Sequence, residues 1–132
     1  MAKKVEELPV FGRAQAFWLA VNAIIERPQV RRYRRRYEQI SEANDSITSN
    51  LREGFELPSD AAFANFVAYS KGSVGEVIMR LHSAHQKRLV TDQELAECVR
   101  MADELGRMMG GFIKYLRRSG FKDRGSYRSR NQ

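Results

Sequence analysis

The stretch that decides the fold is Thr91–Leu116, TDQELAECVRMADELGRMMGGFIKYL. Leu95, Cys98, Val99, Ala102, Leu105, Met109, Phe112 and Leu116 recur at spacings of three and four. That is the period of one helix face, held here for about six turns. Thr91-Asp92-Gln93-Glu94 reads as a capping box, with the Thr91 hydroxyl accepting from the Glu94 amide and the Glu94 carboxylate reaching back. Gly106 and Gly110 lie four apart within it, a spacing that lets a neighbouring backbone come close.

Three more stripes precede this one. Between Pro9 and Glu26, the positions Val10, Ala14, Phe17, Val21 and Ile24 form one row, and Phe11, Trp18 and Ile25 a second. Pro9 suits a first helical position, and Pro28 closes the helix because the residue before a proline avoids helical geometry. A second helix is expected from near Arg31 to Gly54, with Tyr33, Tyr37, Ile40, Asn44, Ile47, Leu51 and Gly54 along its seam. Gly54 suits a left-handed C-terminal cap. Glu56–Asp60 is a turn, and Ser59 or Asp60 caps a third helix that carries Phe63, Val67, Ser70, Val74, Val77, Leu81 and Ala84 and ends around Arg88. No stretch alternates long enough for a strand. The expectation is an all-α, up-down-up-down antiparallel four-helix bundle over residues 1–119, followed by a flexible basic tail over residues 120–132.

Composition narrows the setting. A chain of 132 residues with 42% hydrophobic content is the size of one domain with a core of its own. Cys98 is the single cysteine, so an intrachain disulfide is impossible and a reducing compartment is expected. The lysines at positions 3 and 4 have no apolar run behind them, so the start does not read as a signal peptide. The longest apolar stretch, Ala16–Ile25, contains Asn22 and is too short to span a bilayer. These features point to a soluble cytoplasmic protein with no membrane role.

The net charge of +7 is concentrated in two places. Residues 31–36 read Arg-Arg-Tyr-Arg-Arg-Arg, and residues 114–132 hold seven cations against Asp123. The rest of the chain is slightly acidic. Charge segregated in this way is a local binding surface more readily than a solubility device.

The stretch Gln39-Ile40, Ala43, Ser46-Ile47, Asn50-Leu51, Glu53-Gly54 resembles the signature of small four-helix-bundle proteins encoded within 23S rRNA intervening sequences. Phe63, Phe66 and Ser70-Lys71-Gly72-Ser73-Val74 with Glu76 are similar to the third helix of that family. Leu105–Lys114 resembles its last helix, and also the accessory variability proteins of diversity-generating retroelements. The resemblance spans roughly residues 8–118. It implies a pentameric ring, no catalytic activity and an association with nucleic acid. In the retroelement branch it implies a reverse transcriptase and its template RNA as partners. Family members usually carry mixed acidic and apolar residues before the Gln39 position, where this chain has five arginines.

Each polar feature has a functional and a bland reading. Arg31, Arg32, Arg34, Arg35 and Arg36 can be a solvated helix start, with Arg34 pairing Glu38. Yet cations near a helix N-terminus oppose the macrodipole at about a few tenths of a kcal/mol each, so an external anion is the better explanation. Tyr33 and Tyr37 fit the seam and equally could stack on bases. Lys114, Arg117 and Arg118 favour the dipole of the last helical turn. Lys122, Arg124, Arg128 and Arg130 lie beyond the bundle, where phosphate contacts are their natural use.

Ser46, Asn50 and Glu53 on the second helix, with Ser70, Ser73 and Glu76 on the third, are expected to face each other as a structural polar network. Reading Glu53 and Glu76 as carboxylates of a metal nuclease fails for want of partners. Di-metal bundles need Glu-x-x-His pairs, and neither His82 nor His85 has a carboxylate at a ligating offset. Cys98 sits in the stripe as a small core residue. No catalytic triad, nucleotide loop or zinc spacing occurs, so no cofactor and no enzyme activity are expected. The function expected is a non-catalytic, homo-oligomeric nucleic-acid-binding accessory protein acting through phosphates, with RNA the favoured partner. The alternative is a scaffold whose arginines bind an acidic protein.

Overall fold

The computed structural model describes residues 2–119, and among these the fold is all-helical. A short 3-10 turn, Val5–Glu7, precedes five α-helices: α1 Pro9–Ile25, α2 Pro28–Arg31, α3 Arg34–Phe55, α4 Asp60–Gln86 and α5 Asp92–Arg118. Helix α1 packs on α3 and α5, and α4 packs on both α3 and α5. No helix among the described residues is long and apolar enough to cross a membrane. The tail expected over 120–132, with Lys122, Arg124, Arg128 and Arg130, lies outside the described residues.

The four apolar stripes meet in one core. Phe11, Phe17 and Val21 of α1, Ile40, Ile47 and Leu51 of α3, Phe63, Val67 and Leu81 of α4, and Leu105 and Met109 of α5 are all buried. Phe63 stands edge-on to Phe55 and Phe112, with ring centroids 6.1 and 5.3 Å away, the arrangement that the aromatic quadrupole favours. Val99 and Phe112 are only half-buried, at the edge of the α5 stripe. Trp18 is half-buried too, because its indole Nε1 donates to Asp45 Oδ1 at 2.8 Å and keeps one edge toward solvent.

The starts of α4 and α5 form as expected. Ser59 Oγ accepts from the Ala62 amide at 3.1 Å, and Thr91 and Glu94 exchange bonds of 3.0 and 2.9 Å.

Three expectations are corrected. The second helix does not start near Arg31 and run unbroken. Pro28 opens a single turn of its own, Val30 from that turn is fully buried, and Tyr33 (φ −89°, ψ 72°) leaves helical geometry before α3 begins. Val30 thus joins the core from a turn separate from α3. Gly54 is not a C-cap. It lies inside α3 with its backbone against α4, where an added Cβ would fall 2.6 Å from Phe66 Cβ and 2.7 Å from Phe63 Cδ1. No described glycine has positive φ. The one left-handed residue among those described is Arg88 (φ 60°) at the end of α4. There Leu89 N–H returns to Ala84 O at 3.0 Å and Arg88 N–H to His85 O at 2.9 Å, a Schellman closure without its usual glycine. Finally, no neighbouring backbone of the described residues comes close to Gly106 and Gly110. The side chain of Lys71 lies over them, at ordinary contact distances of 3.9 and 3.7 Å from an added Cβ.

Candidate nucleic-acid interface

The arginine run straddles the α2–α3 break, so its members take different directions. Arg31, on α2, donates to Glu26 Oε1 at 3.1 Å and stands 4.9 Å above the Tyr37 ring. Arg32 stands 5.6 Å from the Tyr33 ring. Arg34 is strongly exposed and reaches Glu38 at 3.1 Å, a pair worth little in solvent. Arg35 is exposed and enters no hydrogen bond or ion pair among the described residues. Arg36 turns toward α4 and donates to Ser83 Oγ at 2.9 Å.

Arg34, Arg35 and Arg36 frame a groove of about 440 Å³ between α3 and α4, lined also by Tyr33, Gln39, Ile40, Arg80 and Ser83, whereas Arg31 and Arg32 do not line it. Arg80 comes from α4, held by Gln39 Oε1 at 3.0 Å and by Glu76 at 3.0 Å. Among the described residues four arginines line the groove and no acidic residue does, although Arg34 and Arg80 are paired with Glu38 and Glu76 beside it. The groove also sits at the start of α3, whose N-cap Tyr33 supplies no side-chain acceptor and whose first turn holds no acid. The positive end of the helix dipole therefore adds to the arginines and goes uncompensated by the protein. A site of this kind attracts anions.

The two tyrosines part company. Tyr37 is half-buried, and its hydroxyl donates to Glu26 Oε2, which together with burial raises its pKa above the usual 10.0. Tyr33 is 49% exposed on the groove wall.

The second basic cluster lies elsewhere. Ser119, next to Arg117 and Arg118, donates to Asp60 Oδ2 at 2.9 Å, which places the end of α5 at the start of α4. Ser83 of the arginine groove is 23 residues further along α4 than Asp60, or about 34 Å at the helical rise. Arg117 and Arg118 are exposed there, whereas Lys114 lines a shallower groove of about 430 Å³ with Lys71, Asp103 and Arg107. Among the described residues, Lys114, Arg117 and Arg118 do not join the arginine groove.

The polar rows give a smaller network than expected. Ser46 Oγ and Ser73 Oγ are 2.8 Å apart, Asn50 Nδ2 donates to Ser46 Oγ at 2.9 Å, and Ser70 Oγ donates to Ile47 O at 2.6 Å. These bonds tie α3 to α4. Glu53 and Glu76 are exposed and take no part, Glu76 being paired with Arg80. Gly54, beside Glu53, packs on Phe66, ten residues before Glu76 and so about 15 Å away along α4. The two carboxylates therefore share no site. Among the described residues no group of three or more His, Cys, Asp or Glu could hold a metal ion.

Residues 6–111 match the family model described as 23S rRNA-intervening sequence protein. The chain belongs to the 23S rRNA-intervening sequence protein family. No curated protein sequence matches it. A crystal structure of a protein of unknown function from the S23 ribosomal protein family of Bacteroides thetaiotaomicron is similar in fold, with a TM-score of 0.71. The two are 18% identical, over 80% of this chain and 98% of that one. The family match takes in all of the arginine groove and ends before Lys114, Arg117 and Arg118. Within this family member, sequence reading missed Arg80, Gln39 and Ser83 as groove residues. Arg80 stands apart from any run of cations in the sequence, and only the packing of α3 on α4 brings it to the cluster.

Proposed function

We propose that this protein is a non-catalytic RNA-binding accessory protein that holds RNA by its phosphates. The observation that carries the reading is the groove of four arginines, free of lining carboxylate, at an uncapped helix start. Phosphate contacts of this kind give affinity without sequence preference. The family description supports RNA as the polyanion.

The four long helices are taken as an up-down-up-down antiparallel bundle, supported by the bonds that join the start of α3 to the end of α4 and the end of α5 to the start of α4. The protein is placed in the cytoplasm as a homo-oligomer, with the pentamer resting on the resemblance in sequence alone. A ring would multiply one groove per subunit into a multivalent surface. Partnership with a reverse transcriptase and its template RNA rests on the same resemblance.

The partner class is tested by titrating the protein separately with a random-sequence RNA and with polyglutamate at low salt. RNA binding with little affinity for polyglutamate is expected. Polyglutamate bound as tightly as RNA would favour a scaffold for acidic proteins instead.

A further inference from the structure

We propose that the arginine groove seats one unpaired nucleotide, its phosphate at the start of α3 among Arg34, Arg35, Arg36 and Arg80 and its base against Tyr33. The inference rests on the RNA-binding reading and specifies the form of RNA that the site takes.

Size is the first indication. The groove of about 440 Å³ falls within the range of small-molecule sites, and is more than a phosphate group alone needs. Its division by chemistry is the second. Arg35 is uncommitted and Arg34 is paired only with exposed Glu38, so both are free to turn onto an anion. Arg36 and Arg80 are instead anchored by Ser83, Gln39 and Glu76 and form a fixed cationic wall. Beside that wall stands the half-exposed ring of Tyr33, an apolar surface that phosphate does not require. Gln39 and Ser83 supply neutral polar groups between the two regions.

The contrast between the tyrosines is the third. Tyr37 is half-buried and committed to the protein through its hydroxyl bond to Glu26. Tyr33 is half-exposed at the α2–α3 break, with the Arg32 guanidinium over one face of its ring, 5.6 Å from the centroid. An exposed aromatic beside a cationic groove is the arrangement on which single-stranded bases stack. A paired base cannot use it. In A-form duplex the bases stay stacked inside the helix, and only an unstacked nucleotide can enter a recess between two protein helices.

The test compares a labelled single-stranded RNA of about 12 nucleotides with the same sequence annealed to its complement, by fluorescence anisotropy at low salt. The full-length protein is compared with Tyr33→Phe and Tyr33→Leu, and helicity and oligomer size are checked for each. The expected result is a single strand bound more tightly than the duplex. Tyr33→Leu should lose about tenfold on the single strand and nothing on the duplex, while Tyr33→Phe behaves as wild type. Equal affinity for both RNAs, unaffected by Tyr33→Leu, overturns the nucleotide seat and leaves the RNA-binding reading in place. No binding of either RNA overturns that reading itself. If Tyr33→Leu fails to fold, Arg35→Gln replaces it. A loss on the single strand greater than on the duplex is then expected, and an equal loss on both overturns the seat.

Discussion

The guanidinium of Arg27 grips the carboxylate of Glu94 through two bonds, at 2.7 and 3.2 Å, and donates a third to Leu89 O at 2.7 Å. One side chain thus fastens the end of α1 to the start of α5 and to the loop before it. Glu94 meanwhile completes the capping box with Thr91. Burial alone would raise the Glu94 pKa, but the Thr91 amide and Arg27 outweigh it and hold the pKa below the usual 4.5.

A carboxylate held below its unfolded value stabilises the fold above that value, and the contribution is lost as pH falls through the lower, folded value. Urea denaturation between about pH 3 and pH 7 should therefore show wild type losing stability below pH 4.5. Glu94→Gln should lose less over that range, and a parallel decline of the two proteins would rule out Glu94 as the source. Arg27→Met should cost about 1–3 kcal/mol at neutral pH, because it strands a partly buried acceptor.

Gly54 and Gly72 predict opposite signs for one substitution. Gly54→Ala should destabilise by about 1–3 kcal/mol, since its Cβ would fall on the Cβ of Phe66 and the ring of Phe63. Gly72→Ala has open space in the middle of α4, and helix propensity should stabilise it by about 0.5–1 kcal/mol. Chemical denaturation of the pair reads both effects against wild type.

Arg88 holds a left-handed conformation that glycine adopts freely. Arg88→Gly should raise stability by about 1 kcal/mol. An unchanged or lower denaturation midpoint would mean that the Arg88 side chain contributes more than its backbone costs.

Cys98 is buried, and burial, with Glu94 and Glu97 nearby, pushes its thiol up to about 11. Only the thiolate reacts. At about pH 8 a thiol reagent should label the native protein no faster than it unfolds, and should label it at once in denaturant. Rapid native labelling would contradict the burial.

The helices were legible in sequence because each buries one stripe, and the stripe survives in the spacing of residues such as Leu105 and Met109. The capping box at Thr91 was legible for the same local reason. What escaped depends on partners distant in the chain. The expected second helix breaks at Tyr33 beside the buried Val30, and only the packing against Phe63 and Phe66 explains Gly54. The arginine run was visible as charge, but its shape was not. The run needed the α2–α3 break to open it and Arg80 from α4 to close it. The Glu53 and Glu76 rows misled because spacing places residues on a face without saying how far along the partner helix they meet.

The salt dependence of RNA binding tests the central claim most directly. Affinity for a single-stranded RNA is measured over a range of salt for wild type and for the double variant Arg34→Gln, Arg35→Gln. Both residues are exposed, and removing cations from the start of α3 should leave stability unchanged or slightly raised. Wild-type affinity should fall steeply with salt. The logarithmic slope should be about 1.4 smaller in the variant, at about 0.7 for each phosphate that the missing cations no longer neutralise. A wild-type affinity indifferent to salt, or a double variant with the wild-type slope, would contradict a phosphate-binding arginine groove.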